Sequence, residues 1–86
     1  MPEISSFFGI IVRMFYFDHN PPHIHVEYGN KKMKLDLKGN ILAGDIESRT
    51  ALRLVREWID FNRNELLDNW NLALNGEELK KIKPLE

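Results

Sequence analysis

The sequence predicts an α+β fold: an antiparallel β-meander of about four strands, packed on one face by a long or broken C-terminal helical segment. Three observations predict it. Apolar and polar residues alternate with period two on either side of Gly29–Asn30, the pattern of a half-buried hairpin. From about residue 47 the apolar spacing changes to the 3.6-residue period of a helix. Turn residues punctuate the first half at "DHNPP", "GN" and "KGN". A single domain over residues 1–86 is expected, with strands over 9–46, a helical region over 47–75 and an anchored tail over 77–86.

The elements follow in order. "GIIVRMFYF", residues 9–17, is β-branched and aromatic, and predicts a strand buried on much of both faces. Pro21 and Pro22 stop it, because proline cannot continue a ladder. "HIHVEY" and "KKMKLDL" alternate around the two-residue turn, where Gly29 supplies the positive φ. After "KGN", "ILAGDI" is a short fourth strand. Asp45 or Ser48 can cap the helix, and Gly76 closes it as the C′ residue. Leu54, Val55, Trp58, Ile59 and Phe61 share one broad face. The arc of Leu66, Leu67, Trp70 and Leu74 is displaced by roughly a quarter turn. A kink near residues 62–64 would let both stretches face one core. In the tail, Leu79, Ile82 and Leu85 are anchors, and Pro84 forbids a regular helix.

Composition narrows the function classes. Apolar residues make up 43% and charged residues 29%, an ordinary globular balance. Twelve basic and 13 acidic residues give a formal charge of −1, so any nucleic-acid surface must be local. The absence of cysteine excludes disulfides and thiolate metal clusters. Residues 1–6 carry no basic leader region, and no apolar run reaches membrane-spanning length. A cytoplasmic protein with no membrane association is expected.

All three histidines fall in "DHNPPHIHV". A two-residue turn at Gly29–Asn30 sets His23 opposite Asp36, His25 opposite Lys34 and Glu27 opposite Lys32. Ile24, Val26, Met33 and Leu35 then form the opposite, apolar face. His23 and His25 point the same way, which suits a metal, and Asp36 could complete a two-histidine, one-carboxylate set. Lys34 and Lys32 oppose a cation and favour an anion. The same residues offer acid–base chemistry, with His23, His25 and Asp36 as catalytic candidates and Lys34 stabilising charge. Simple cross-strand pairing accounts for the pattern without any function. No cofactor is expected, a divalent metal being the alternative that the histidine pair leaves open. His19 and Asn20, in the turn, are candidate binding residues.

Arg49, Arg53, Arg56 and Arg63 lie within roughly 80° of one another on the helical wheel, with Asp60 among them. They are a second candidate binding surface, for a phosphate backbone or an acidic partner. A solvated face with intrahelical ion pairs is the simpler account, since Glu57 and Asp60 dilute the positive charge. Trp58 and Trp70 fall on apolar arcs and are expected in the core.

"MFYFDHNPPHIHVEY", "LVREWIDFNRNELLDNW" and "KIKPLE" resemble the small bacterial proteins of the domain of unknown function 4160 family. The family's motif residues correspond here to Asp18, His19, Asn20, Pro21, Pro22, His23 and His25, then Glu57, Trp58, Glu65 and Trp70. The resemblance implies one α+β domain in a prokaryotic cytoplasm, and no assigned activity. It also implies a second small protein encoded nearby, in an arrangement similar to toxin–antitoxin pairs. The expected function is therefore a binding component that contacts a small partner protein and also, as a further option, nucleic acid. The alternatives are a histidine-dependent, metal-assisted phosphoesterase or ribonuclease, and a structural accessory protein that forms a homodimer.

Overall fold

The structure, a computed structural model, describes residues 2–86. Met1, the first residue of the stretch read for a leader, lies outside the described residues. The strands are β1 (Glu3–Phe7), β2 (Ile10–Arg13), β3 (His23–Tyr28), β4 (Lys31–Asp36) and β5 (Ile41–Gly44), followed by the helix α1 (Arg49–Leu74). The five strands form one antiparallel sheet in sequence order. The fold is α+β, with one strand more than the sequence predicts.

The extra strand is β1. Its sequence, "EISSF", has two serines where an apolar alternation would announce a strand. Its turn to β2 is Phe8–Gly9, both at positive φ (50° and 81°), the primed geometry that suits a two-residue hairpin. Phenylalanine is not a residue that advertises such a turn. The strand expected over 9–17 ends at Arg13. Met14 is fully buried beyond it, and Phe17, at φ 55°, donates its N–H to the Ala73 carbonyl at the end of α1. The apolar run thus continues into a loop that packs on the helix terminus, which periodicity alone does not separate from a strand.

The central hairpin forms in the expected register: His23 pairs with Asp36, His25 with Lys34 and Glu27 with Lys32. Gly29, at φ 62°, takes the first turn position, where only glycine is comfortable in a type II′ turn. Gly44 is needed for a different reason. A Cβ there would sit 2.4 Å from the Lys32 carbonyl oxygen, beside the bulge where β5 slips against β4.

One face of the sheet meets α1. Ile10, Val12, Ile24, Val26, Met33 and Leu35 are buried there with Val55, Trp58, Ile59, Leu66 and Trp70. Burial of this kind contributes on the order of 1.5–3 kcal/mol per large side chain. Ser48 caps the helix, its Oγ accepting from Ala51 N–H at 3.1 Å. At the far end Glu77 N–H reaches the Leu72 carbonyl across Gly76, as a Schellman cap requires. Asn62 has non-helical φ/ψ, marking a kink where one was expected. Its side-chain amide donates to the Trp58 carbonyl at 2.9 Å, intruding into the helix ladder. Phe61, placed by the sequence on the core face, is 77% exposed. It lies about 115° from the direction set by Val55, Trp58 and Ile59.

The tail runs along β1. Ile82 donates its N–H to the Ile4 carbonyl at 2.8 Å, and buried Asn69 clamps Lys80 by accepting from its N–H and donating to its carbonyl. Trp58 Nε1 donates to the Lys83 carbonyl. Among the described residues, no helix is long and apolar enough to cross a membrane.

Candidate functional site: a carboxylate between two imidazoles

β3 opens with His23 and His25 on the same side of the strand, but their surroundings differ. His23 is 3% exposed, and its ring lies 5.1 Å from that of Trp70 on α1 and 5.1 Å from that of His25. His25 is half-buried, with the Phe15 ring against it edge-on at 4.3 Å. The loop between β2 and β3 folds back over both, through a cis Asn20–Pro21 bond. It delivers two groups to His23: the Pro21 carbonyl, 2.7 Å from Nδ1, and the Asp18 carboxylate, whose Oδ2 is 2.8 Å from Nε2. The same Oδ2 lies 3.3 Å from His25 Nε2. Oδ1 of Asp18 accepts from the His19 N–H, which fixes the carboxylate's orientation.

The electrostatics follow from this geometry. Burial tends to raise the Asp18 pKa, but hydrogen bonds from the His19 backbone and from the rings of His25 and His23 outweigh it and hold the carboxyl below its ordinary value. His25 is pushed down, chiefly by burial, which the hydrogen bond to Asp18 opposes without cancelling. His25 therefore favours its neutral form near neutral pH.

The carboxylate that joins the histidines is thus Asp18 and not Asp36. Backbone register does place Asp36 across from His23. Its side chain, however, turns into the β4–β5 turn, accepting from Lys38 N–H, Asn40 N–H and Asn40 Nδ2 at 2.9–3.0 Å. Burial alone would raise the pKa of this carboxyl; the Asn40 and Lys38 donors more than compensate, and it is lowered. His19 stands at the rim, its side chain 95% exposed with Nε2 3.9 Å from Asp18 Oδ1, and Asn20 is exposed beside it.

Beside the histidines lies an open concavity of about 680 Å³, lined by Arg13, Phe15, His25, Glu27, Lys32 and Lys34, with Ala43 and Gly44 at its β5 side. Arg13 pairs with Glu27 at 2.7 Å. Lys32 and Lys34 give this hollow its remaining positive charge. Arg13 and Phe15 belong to the site although the sequence pattern did not single them out; both sit in the run expected to be a plain buried strand.

The arginines of α1 are largely engaged elsewhere. Arg53 pairs with Glu57, and Arg63 with Asp60. Arg56 Nε donates to the Gly39 carbonyl and Arg63 Nε to the Leu37 carbonyl, at 2.9 and 2.8 Å, stitching the helix to the β4–β5 turn. Arg49 stands at the exposed start of the helix.

Fold and site together define a small open-sheet α+β protein that carries a histidine–carboxylate cluster at one end of its central hairpin. The model for the domain of unknown function 4160 (DUF4160) matches residues 9–71, more than half of the chain, and the chain belongs to that family. Comparison with curated proteins and with solved structures finds no match.

Proposed function

We propose that this protein is the binding component of a two-gene, toxin–antitoxin-like system in the cytoplasm, and that it docks a small protein partner along β5 and the adjoining concavity. The observation that carries this proposal is the unequal treatment of the two sheet edges. β1 is covered by the tail through the Ile82–Ile4 hydrogen bond. β5 is an edge strand with all four residues exposed, including Ile41 and Leu42 at 45% and 41%. An uncovered apolar edge with neither lysine nor proline is a liability in a solitary protein and a template for strand addition by a partner. A protein partner is favoured over nucleic acid because Arg53, Arg56 and Arg63 are engaged in ion pairs or in holding the helix to the sheet. The test is titration calorimetry between this protein and the small protein encoded beside it. Binding is expected, and replacing Ile41 and Leu42 together by Lys should weaken it at least tenfold, about 1.4 kcal/mol. Full-strength binding by that variant, or none by the natural chain, would overturn the proposal. A concentration-dependent homodimer lost in the same variant would instead assign β5 to self-pairing.

A further inference from the structure

The geometry points to a transition-metal site formed by Asp18 Oδ2, His23 Nε2 and His25 Nε2, selective for an ion of the Zn²⁺ or Fe²⁺ class. The three ligand atoms lie within 4.8 Å of one another. In a tetrahedral site with bonds of about 2.0–2.1 Å, neighbouring ligand atoms are about 3.3 Å apart. Oδ2 stands 3.3 Å from His25 Nε2, at that spacing, and 2.8 Å from His23 Nε2, inside it, and the two ring nitrogens are no more than 4.8 Å apart.

The orientation of the His23 ring supports the site. Its Nδ1 faces the Pro21 carbonyl, which only accepts, so Nδ1 must carry a hydrogen. With Nδ1 turned to that carbonyl, Nε2 is the ring nitrogen that faces the Asp18 carboxylate, 2.8 Å from Oδ2. A cation seated between the ring nitrogen and the carboxylate would take the place of the hydrogen that bridges them without it. A backbone carbonyl on the far nitrogen is the usual support of a metal-bound histidine, and it orients the ring here as such support does. The carboxylate is likewise held from behind, by the His19 N–H on Oδ1.

Two nitrogen ligands select against Mg²⁺ and Ca²⁺, which prefer all-oxygen shells. Lys34, paired across the strand from His25, opposes a cation; the Asp18 charge and two imidazole lone pairs act in the other direction. Three protein ligands leave at least one coordination position for a water or an anion, and His25 also lines the concavity that Lys34 makes receptive to anions. This inference does not depend on the docking proposal.

The test is titration of metal-free protein with Zn²⁺, Co²⁺ or Mg²⁺ alone, read by calorimetry, by the visible absorption of bound Co²⁺ and by melting temperature. One equivalent of Zn²⁺ or Co²⁺ is expected to bind. At saturation it should raise the melting temperature by about 10 °C, and Mg²⁺ should leave it unmoved. Asp18→Asn and His25→Ala, at partly exposed positions, should each lose tenfold or more in affinity. Asp36→Asn should bind as the natural chain does. Absence of binding by the natural chain, equal binding by Mg²⁺, or undiminished binding by Asp18→Asn and His25→Ala would overturn the site. The titration of the unsubstituted chain decides the matter even if a variant fails to fold.

Discussion

At Asp36, backbone register and side-chain destination part company. The hairpin sets its Cα opposite His23, as the two-residue turn dictates, yet the carboxylate serves the turn that follows. Its role is then local stability, with a definite pH signature. Although burial opposes it, donors from Asn40 and Lys38 hold the folded pKa below the ordinary 3.8. A depressed carboxyl stabilises fully above its unfolded value and loses that contribution as pH falls through the folded one. Asp36→Ala is therefore expected to cost about 1–2 kcal/mol near pH 7, with the gap to the natural chain narrowing on acidification below 3.8. Urea midpoints measured across that range check this, and a gap that stays constant into strong acid contradicts it. The same residue shows what the sequence made legible of the site. His23-x-His25 and its strand were readable because period two and a glycine turn determine them. Asp18 as their partner was not, because it arrives on a loop whose path through Pro21 and Pro22 follows no periodicity.

Helix α1 shows a similar division between a readable pattern and an unreadable cause. The sequence predicts a kink because Phe61, Leu67 and Leu74, counted with the core, pull the two apolar arcs apart. All three are exposed. The residues buried along α1 are Ala51, Val55, Trp58, Ile59, Leu66, Asn69, Trp70 and Ala73, and the mean directions of the two halves differ by only about 25° on the wheel. No large kink is needed for packing; the observed one belongs to the Asn62 amide and the Trp58 carbonyl. Hydrophobicity misled because two small alanines and a buried asparagine lie on the core face while larger apolar side chains do not. Two asparagines in one helix then have opposite expectations. Asn62→Ala should change stability by less than about 1 kcal/mol, the lost hydrogen bond being offset by better helix propensity. Asn69→Ala should cost about 2–3 kcal/mol, since it removes both bonds to Lys80 and leaves a cavity. Denaturant unfolding of the two variants side by side checks the contrast; equal losses would mean that the tail clamp carries no weight.

Across the whole molecule, the α+β class was legible from one switch of period, two to 3.6, because that switch is a property of contiguous sequence. Which edges of the sheet are protected was not, because it depends on contacts between the chain's two ends. The tail reaches β1 through Ile82 N–H on the Ile4 carbonyl and Lys81 Nζ on the Glu3 carbonyl, and Ile82 itself is buried in the core. Leu79 and Leu85 pack beside it. The tail thus closes one edge that the five-strand order otherwise leaves open, and the open β5 edge lies at the far side of the sheet. Removing residues 77–86 should therefore create a second sticky edge and uncover the buried Trp58. Two uncovered edges at opposite ends of one sheet permit head-to-tail addition without closure, which one open edge alone does not. The truncated chain is expected to form large, concentration-dependent assemblies by light scattering, while the full chain stops at a dimer or below. Restoring a charge on the opposite edge, by Leu42→Lys in the truncated chain, should cap that growth. Unlimited assembly in the doubly changed chain would show that exposed core, and not edge pairing, drives the association.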